Sequence, residues 1–244
     1  MNVKNQDCFK FLEENNQEID LILTDPPYAI SRSTGFSAVK NGEKRFAISM
    51  DFGEWDQDEI DLEKFCELAY NNLKKHGTAI IFYDLWKITK LADAMKKAGF
   101  VQLRFIEWLK TNPVPLNSKI NYLTNAREIA IVGVKVSKPT YHGEYHNGIF
   151  KYPIPNGRKE DKRLHPTQKP LKLFEELVNL HSNKGDLVCD PFLGSGTTAV
   201  ASLRHERDFI GCEKNKLYYT SALNRITGEE NDYKESTLFR ISQS

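Results

Sequence analysis

Two short stretches of this 244-residue chain hold the residue types that chemistry needs. In residues 19–30, "IDLILTDPPYAI", an apolar run ends on Asp25, Pro26, Pro27 and Tyr28. Proline fixes φ and biases the residue before it towards an extended conformation, so a carboxylate is held at a strand end with little freedom, beside a flat aromatic ring. In residues 186–202, "DLVCDPFLGSGTTAVAS", a second strand ends at Asp190, and Gly194 and Gly196 lead into a helix that Thr197 or Thr198 can open. Glycines let the backbone approach a ligand closely, and a helix N-terminus offers free N–H groups to an anionic group. One strand later, in "FIGCEKN", Glu213 stands where an acid can bind both hydroxyls of a ribose. Each feature has a plain alternative: a proline-stapled turn, a tight strand-to-helix turn, a surface glutamate. The glycine turn and Glu213 together favour an adenosine-containing ligand more than either does alone. The glycine stretch is not a phosphate-binding P-loop, since no lysine lies in the turn, and Ala199 breaks GxGxxG.

Something must bring these ends together. Short apolar runs at 19–23, 78–83, 127–134, 186–190 and 208–213 read as strands. Apolar residues at helical spacing fill 61–77, 85–100 and 170–185; Gly77, Gly99 and Gly185 serve as C-terminal stops, and Pro170 sits near a first turn. Alternating strands and helices imply an α/β fold with a mainly parallel sheet covered on both faces, which binds ligands at the carboxyl ends of its strands. Residues 30–60, and residues 111–168 with Pro113, Pro115, Pro139, Pro153, Pro155 and Pro166, break that pattern and read as long loops or insertions. From about Gly228 the chain is polar and is expected to fray.

Composition is that of a globular chain, 40% hydrophobic and 27% charged. No apolar run approaches the roughly 20 residues of a membrane span, and "MNVKNQDCFKF" lacks the basic and apolar regions of a signal peptide, so a cytoplasmic protein is expected. Cys8, Cys66, Cys189 and Cys212 show neither CxxC nor zinc-site spacing, so no metal is expected. The net charge of +1 hides an uneven distribution: residues 104–172 carry 13 basic and 5 acidic groups, while the segments on either side are net acidic. Such a concentrated excess suits contact with a polyanion, or else a solvated basic loop.

The motifs resemble those of the amino-methylating, S-adenosylmethionine-dependent DNA methyltransferases. "TDPPY" looks like their catalytic motif, "DPFLGSGTT" like their glycine motif, and "RLHPTQKP" (163–170) like the segment before the cofactor half. The catalytic motif comes first, as in the β group, and "NQDCFKFLEE", "DFGEWD" and "WLKTNPVPLN" fit small adenine-specific members. The likeness runs over most of residues 1–226. It implies a Rossmann-like, doubly wound, mainly parallel seven-stranded methyltransferase sheet with helices on both faces and an inserted target-recognition region. Residues 1–110 would form the catalytic half with a loop at 30–52. Residues 111–163 would form the recognition insertion, with strand 127–134 in the core sheet. Residues 164–226 would form the cofactor half, and 227–244 a polar tail.

The resemblance also implies roles. Adenine's exocyclic amine is a poor nucleophile because its lone pair is delocalised. The Asp25 carboxylate and the Pro26 carbonyl would accept its two hydrogens, Pro27 would fix that geometry, and Tyr28 would stack on the extruded base. Asp7 and the Cys8 backbone would meet the cofactor's adenine, and Glu213 its ribose. Ser195, Gly196, Thr197 and Thr198 would surround the methionine carboxylate, and Asp190, Pro191, Phe192, Gly194 and Lys214 would also belong to the cofactor site. His165, Thr167, Gln168 and Lys169 would line the same side, with Lys169 against the methionine carboxylate and Asp25 also at the cofactor. Double-stranded DNA would meet Arg32, Lys44, Arg45, Lys110, Asn112, Lys119, Arg127, Lys138, Arg158, Lys159 and Arg163, and Tyr141, His142, Tyr145 and His146 would touch bases or fill gaps. A homodimer and a cognate restriction endonuclease are candidate partners. Cytosine-N4 methylation is the nearest alternative activity, and RNA or protein-glutamine methylation a more distant one. Carbon methylation of cytosine would need a cysteine in a Pro-Cys pair, and none occurs.

Overall fold

The structure, a computed structural model, describes residues 1–27, 36–40, 43–48, 60–113, 123–155 and 168–241. The first strand of the centre is β2 (Ile19–Thr24), and four of its six residues in sequence, Leu21 to Thr24, are buried, the signature of a strand covered on both faces. Its side chains alternate: Leu21 and Leu23 enter one core cluster, Ile19 and Ile22 the other. The parallel strands β5 (Leu73–Tyr83) and β9 (Leu187–Asp190) flank it. Beyond β9 lie β10 (Asp208–Cys212) and the edge strand β1 (Asn2–Lys4), both parallel. Beyond β5 lie β7 (Arg127–Val134), antiparallel to it, then β6 (Val101–Lys110) and β8 (Ile149–Tyr152). The order is β1-β10-β9-β2-β5-β7-β6-β8. This is the expected doubly wound sheet with eight strands rather than seven, the added edge strand β8 coming from the segment read as an insertion.

Helices α1 (Cys8–Glu13), α2 (Leu62–Asn72) and α3 (Ile88–Ala98) cover one face of the sheet. Helices α4 (Leu171–His181), α5 (Thr197–Arg204) and α6 (Lys216–Ile241) cover the other. The chain leaves β2 towards β5 and leaves β9 towards β10, in opposite directions, so a topological switch point lies between β2 and β9. A crevice opens there at the carboxyl ends of the strands.

Four expectations need correction. Helix α2 stops at Asn72, not Gly77, because Leu73 pairs with Ile19 and is buried, which overrides the local helical pattern. Gly77 lies inside β5, where a Cβ would sit 3.2 Å from the Asp20 carbonyl oxygen of the neighbouring strand. Helix α4 starts after Pro170 as expected but ends at His181, and Gly185 belongs to the following turn with φ +81°. Residues 30–60 contain an antiparallel hairpin, β3 (Phe36–Lys40) and β4 (Glu43–Ile48). Finally, α6 continues past Gly228 to Ile241 instead of fraying, through a stretch that holds three glutamates and no proline. Helix α3 does end at Gly99, which takes the left-handed φ of +106° that suits a C-cap. Among the described residues no helix is long and apolar enough to cross a membrane.

Candidate active site

The two informative strand ends meet. Leu21 and Ile22 of β2 pair with Val188 and Cys189 of β9, so Asp25 and the turn after Asp190 emerge side by side. A buried buckle joins them. The Asp190 carboxylate accepts from Thr24 Oγ1 at 2.6 Å, from Thr198 Oγ1 at 2.6 Å and from the Phe192 N–H at 3.0 Å. Burial pushes this carboxyl up to about 6, against the hydrogen bonds that hold it down. Both oxygens accept from within, so this side chain fastens the end of β2 to helix α5.

Asp25 continues the Leu21–Leu23 row of β2 onto the face covered by α4, one step above the apolar core. Its Oδ2 accepts from the ammonium of Lys169. Its Oδ1 is buried and has no hydrogen-bond partner among the described residues. Lys169 is only 5% exposed, lies over the Phe82 ring and is 3.1 Å from Glu128 Oε2. Glu128 is in turn 2.8 Å from Lys110. Burial pushes Asp25 up, and the ammonium of Lys169 only partly offsets this. Burial acts on Glu128 in the same sense, but the ammonium groups of Lys169 and Lys110 reverse it and hold Glu128 below the usual carboxylate range. Lys169 therefore meets the Asp25 carboxylate, where the resemblance implies the cofactor's carboxylate. A lysine one residue before a helix gives no hint of which acid it will meet.

The glycine turn has the backbone that the sequence predicts. Gly194 and Gly196 take φ of +52° and +78°, and Gly196 caps α5. The first-turn N–H groups of a helix have no acceptor inside it and remain available to an anion. Glu213 binds the turn from below: Oε2 accepts from the Gly194 N–H at 3.0 Å and Oε1 from the Asn215 N–H at 2.7 Å. Each oxygen keeps a second lone pair for a ribose hydroxyl. Ser195 Oγ and Thr197 Oγ1 are 3.1 Å apart, and Phe192 packs edge-on against Phe65 of α2 with ring centroids 5.3 Å apart. The Pro191 carbonyl accepts from the Cys212 thiol at 3.2 Å.

The N-terminal segment closes the same end of the sheet. The Gln6 N–H donates to the Glu213 carbonyl at 3.2 Å, and Lys214 is 3.4 Å from the Asp7 carboxylate. Asp7 caps α1 through the Phe9 N–H at 3.0 Å. Burial pushes the Cys8 thiol up to about 12, which leaves it unreactive. Gln168 is buried beside Lys169. This set suits an adenosyl group with an amino-acid tail: an acid for ribose hydroxyls, glycines that clear the approach and a helix N-terminus for a carboxylate.

Arg225 of α6 is a residue that sequence reasoning missed. Its Nη1 donates to the Ser195 carbonyl at 3.1 Å and to Thr197 Oγ1 at 3.1 Å, bracing the turn from the helix side. No local signal marks it, since it lies 30 positions from Ser195 and only the packing of α6 brings it there.

Tyr28 of the expected catalytic motif, and His165 and Thr167 expected at the cofactor, lie outside the described residues. The expected DNA contacts divide. Arg32, Lys119, Arg158, Lys159 and Arg163 lie outside the described residues, while Lys44 and Arg45 lie on β4. Arg127 is exposed at the catalytic end of β7 and pairs with Glu107 at 2.9 Å. Lys110 turns inward onto Glu128 and is only 12% exposed, so it is not a free phosphate contact. Asn112 spends its amide on the backbone of Ile154, with its Oδ1 accepting at 2.6 Å. Lys138 follows the far end of β7, and because β7 runs against β5 it lies at the edge of the sheet opposite Asp25. Tyr141 and His142 pack on His181, Asn183 and the Leu180 carbonyl, at the C-terminal end of α4, whereas Lys169 and Asp25 flank its N-terminal end. They fill gaps and do not reach the crevice.

Comparison with known proteins agrees with this geometry. The chain is 34% identical to the type II methyltransferase M2.DpnII of Streptococcus pneumoniae, over 91% of this chain and 88% of that one. It is 31% identical to M2.MboI of Moraxella bovis, over 99% of this chain and 94% of that one. The crystal structure of an M1.HpyAVI complex with S-adenosylmethionine superposes with a TM-score of 0.70 at 30% identity, covering 92% of this chain and 98% of the other. The family model described as DNA methylase, for the N6 and N4 amino methyltransferases, matches residues 19–224. With its catalytic and glycine motifs joined at one switch point, the chain belongs to the DNA methylase family.

Proposed function

We propose that the chain transfers a methyl group from S-adenosylmethionine to the N6 amine of an adenine in double-stranded DNA. The observation that carries this reading is the divided carboxylate of Asp25: one oxygen held by Lys169, the other buried and without a partner among the described residues, at the crevice shared with the glycine turn. A buried acceptor of this kind costs free energy until a donor arrives, and an amine hydrogen is such a donor. The bound cofactor supplies an electrophilic methyl on a sulfonium and leaves as S-adenosylhomocysteine. The chain's own residues orient the acceptor. Asp25 Oδ1 and the Pro26 carbonyl take the two amine hydrogens, so the nitrogen lone pair is freed from the ring and aimed in line. Asp25 then stabilises the positive charge that develops on that nitrogen, and the methylated nitrogen gives up one of its two hydrogens as a proton to become the N6-methyl amine. Glu213, the turn at 194–198 and the first turn of α5 hold the adenosyl and amino-acid parts.

In a duplex the target amine lies inside the base stack, so the nucleotide must rotate out at a cost of a few kcal/mol. Stacking on Tyr28 returns about 1–3 kcal/mol of that. The basic recognition segment holds the opened duplex, with Arg127 at the rim of the crevice. The type II names of the relatives support a cognate restriction endonuclease in the same host. A DNA substrate, together with four free, buried cysteines, supports a cytoplasmic site of action. The test is incubation with methyl-labelled cofactor and separate duplex DNA, RNA and protein acceptors. Label in DNA alone is expected; label confined to RNA or protein refutes the reading.

A further inference from the structure

The Asp25–Lys169 pair does not end there. Lys169 reaches Glu128, and Glu128 reaches Lys110. The four groups alternate in sign and sum to zero. Each of the three strand residues is the next step above the apolar core on the face covered by α4. Asp25 follows Leu21 and Leu23 on β2, Glu128 precedes Ala130 and Val132 on β7, and Lys110 follows Ile106 and Trp108 on β6. Lys110 lies over the Trp108 ring at 5.2 Å, and Lys169 over Phe82 at 5.4 Å. A row of ions along the top of a hydrophobic core is not an economical way to stabilise a fold, since apolar residues of equal volume often do as well or better. What singles out this row is its end: among the described residues, every carboxylate oxygen in it has a partner except Asp25 Oδ1.

We propose that Glu128 is a positioning residue for methyl transfer: held by Lys110, it fixes the ammonium of Lys169 on one oxygen of Asp25 and leaves the other aimed at the target amine. The inference rests on the proposed function and adds to it a second carboxylate that never touches the substrate. Lysine is a flexible point charge on a long stem, and a single carboxylate does not determine where it sits. Glu128 supplies the second anchor and Phe82 the floor. Glu128 also shares the charge of Lys169, so the ammonium neutralises Asp25 only in part. Among the described residues, the charged groups facing Asp25 are Lys169 before α4, Glu128 on β7, Lys110 beyond it on β6 and Asp190 at the end of β9.

Two variants act in opposite senses. In Glu128→Gln, Lys169 serves Asp25 alone, so Asp25 binds its proton less tightly and the acid limb of the kcat profile moves to lower pH. In Lys110→Met, Glu128 draws Lys169 towards itself, and the acid limb moves to higher pH. Both variants should lower kcat by about ten- to a hundred-fold, the range expected when a reacting group is displaced by up to an ångström. The KM for S-adenosylmethionine and its affinity by calorimetry should stay within about twofold of the parent, because Glu213 and the glycine turn are untouched. The experiment is steady-state kinetics on duplex DNA across the acid range, with a thermal melt of each variant. Opposite shifts with unchanged cofactor affinity support the proposal. Unchanged kcat, or shifts of the same sign, overturn it, and so does a loss of kcat fully matched by loss of folded protein. If the parent enzyme methylates no adenine in DNA, the proposed function itself fails, and that outcome is separate from either variant result.

Discussion

The buckle at Asp190 invites a quantitative test, because two substitutions separate its charge from its acceptors. Asp190→Asn removes the charge but keeps Oδ1, which still serves Thr24 Oγ1 and the Phe192 N–H; Thr198 can turn its hydroxyl to the Leu23 carbonyl, 3.3 Å away. Asp190→Ala removes the charge and every acceptor, stranding the Thr24 hydroxyl and the Phe192 N–H. Each stranded buried donor costs about 1–3 kcal/mol, so the alanine variant should be less stable than the asparagine variant by about 2–6 kcal/mol. That is a large part of a typical domain's 5–15 kcal/mol. The charge itself works the other way. A folded carboxyl raised from 3.8 to about 6 by burial means the ionised form is disfavoured by about 3 kcal/mol at neutral pH. The wild type should therefore gain stability from this group as pH falls through about 6, a gain complete only below the unfolded value near 3.8, and the asparagine variant should lack that slope. Urea unfolding of all three proteins between pH 4 and pH 7.5 measures both effects, provided the m-values agree. An alanine-to-asparagine gap below about 1 kcal/mol, with an unchanged pH slope, would refute the buckle.

Other outcomes follow from the same geometry. Glu213→Ala should weaken S-adenosylmethionine binding by ten-fold or more in calorimetry, since it removes the ribose acid and releases the Gly194 N–H; unchanged affinity would remove Glu213 from the site. Arg127→Ala should weaken duplex binding in a fluorescence titration while Lys138→Ala leaves it within about twofold, because β7 carries the two to opposite ends of the sheet. Duplex affinity should fall steeply and linearly on a log–log plot against salt, and a flat response would deny the basic segment its phosphate contacts.

Much of the frame was legible in the sequence for identifiable reasons. The strand at Arg127–Val134 stands where the apolar run is, because a strand buried on both faces is written as a continuous run. Gly99 ends α3 because left-handed backbone favours glycine. The ends of β2 and β9 announced themselves through prolines and glycines, and they do meet. What stayed hidden depends on direction and distance. The antiparallel course of β7 cannot be read from its composition, and it alone sends Lys138 away from the crevice. Lys110 counted as one more cation in a basic segment until the alternation of β6 turned it inward onto Glu128. Lys169 and Arg225 carry long side chains whose partners lie 144 and 30 positions away, a relation with no local trace. The end of α2 was set by pairing between Leu73 and Ile19, against a helical pattern that ran on to Gly77.

The most direct measurement is base-resolved product analysis of duplex DNA treated with methyl-labelled cofactor and either the wild-type protein or Asp25→Asn, with cofactor affinity of both checked by calorimetry. N6-methyladenine from the wild type, none from the variant, and matched affinities are the expected result. Label in N4-methylcytosine, or a variant that methylates as fast as its parent, would contradict the role given to the free oxygen of Asp25.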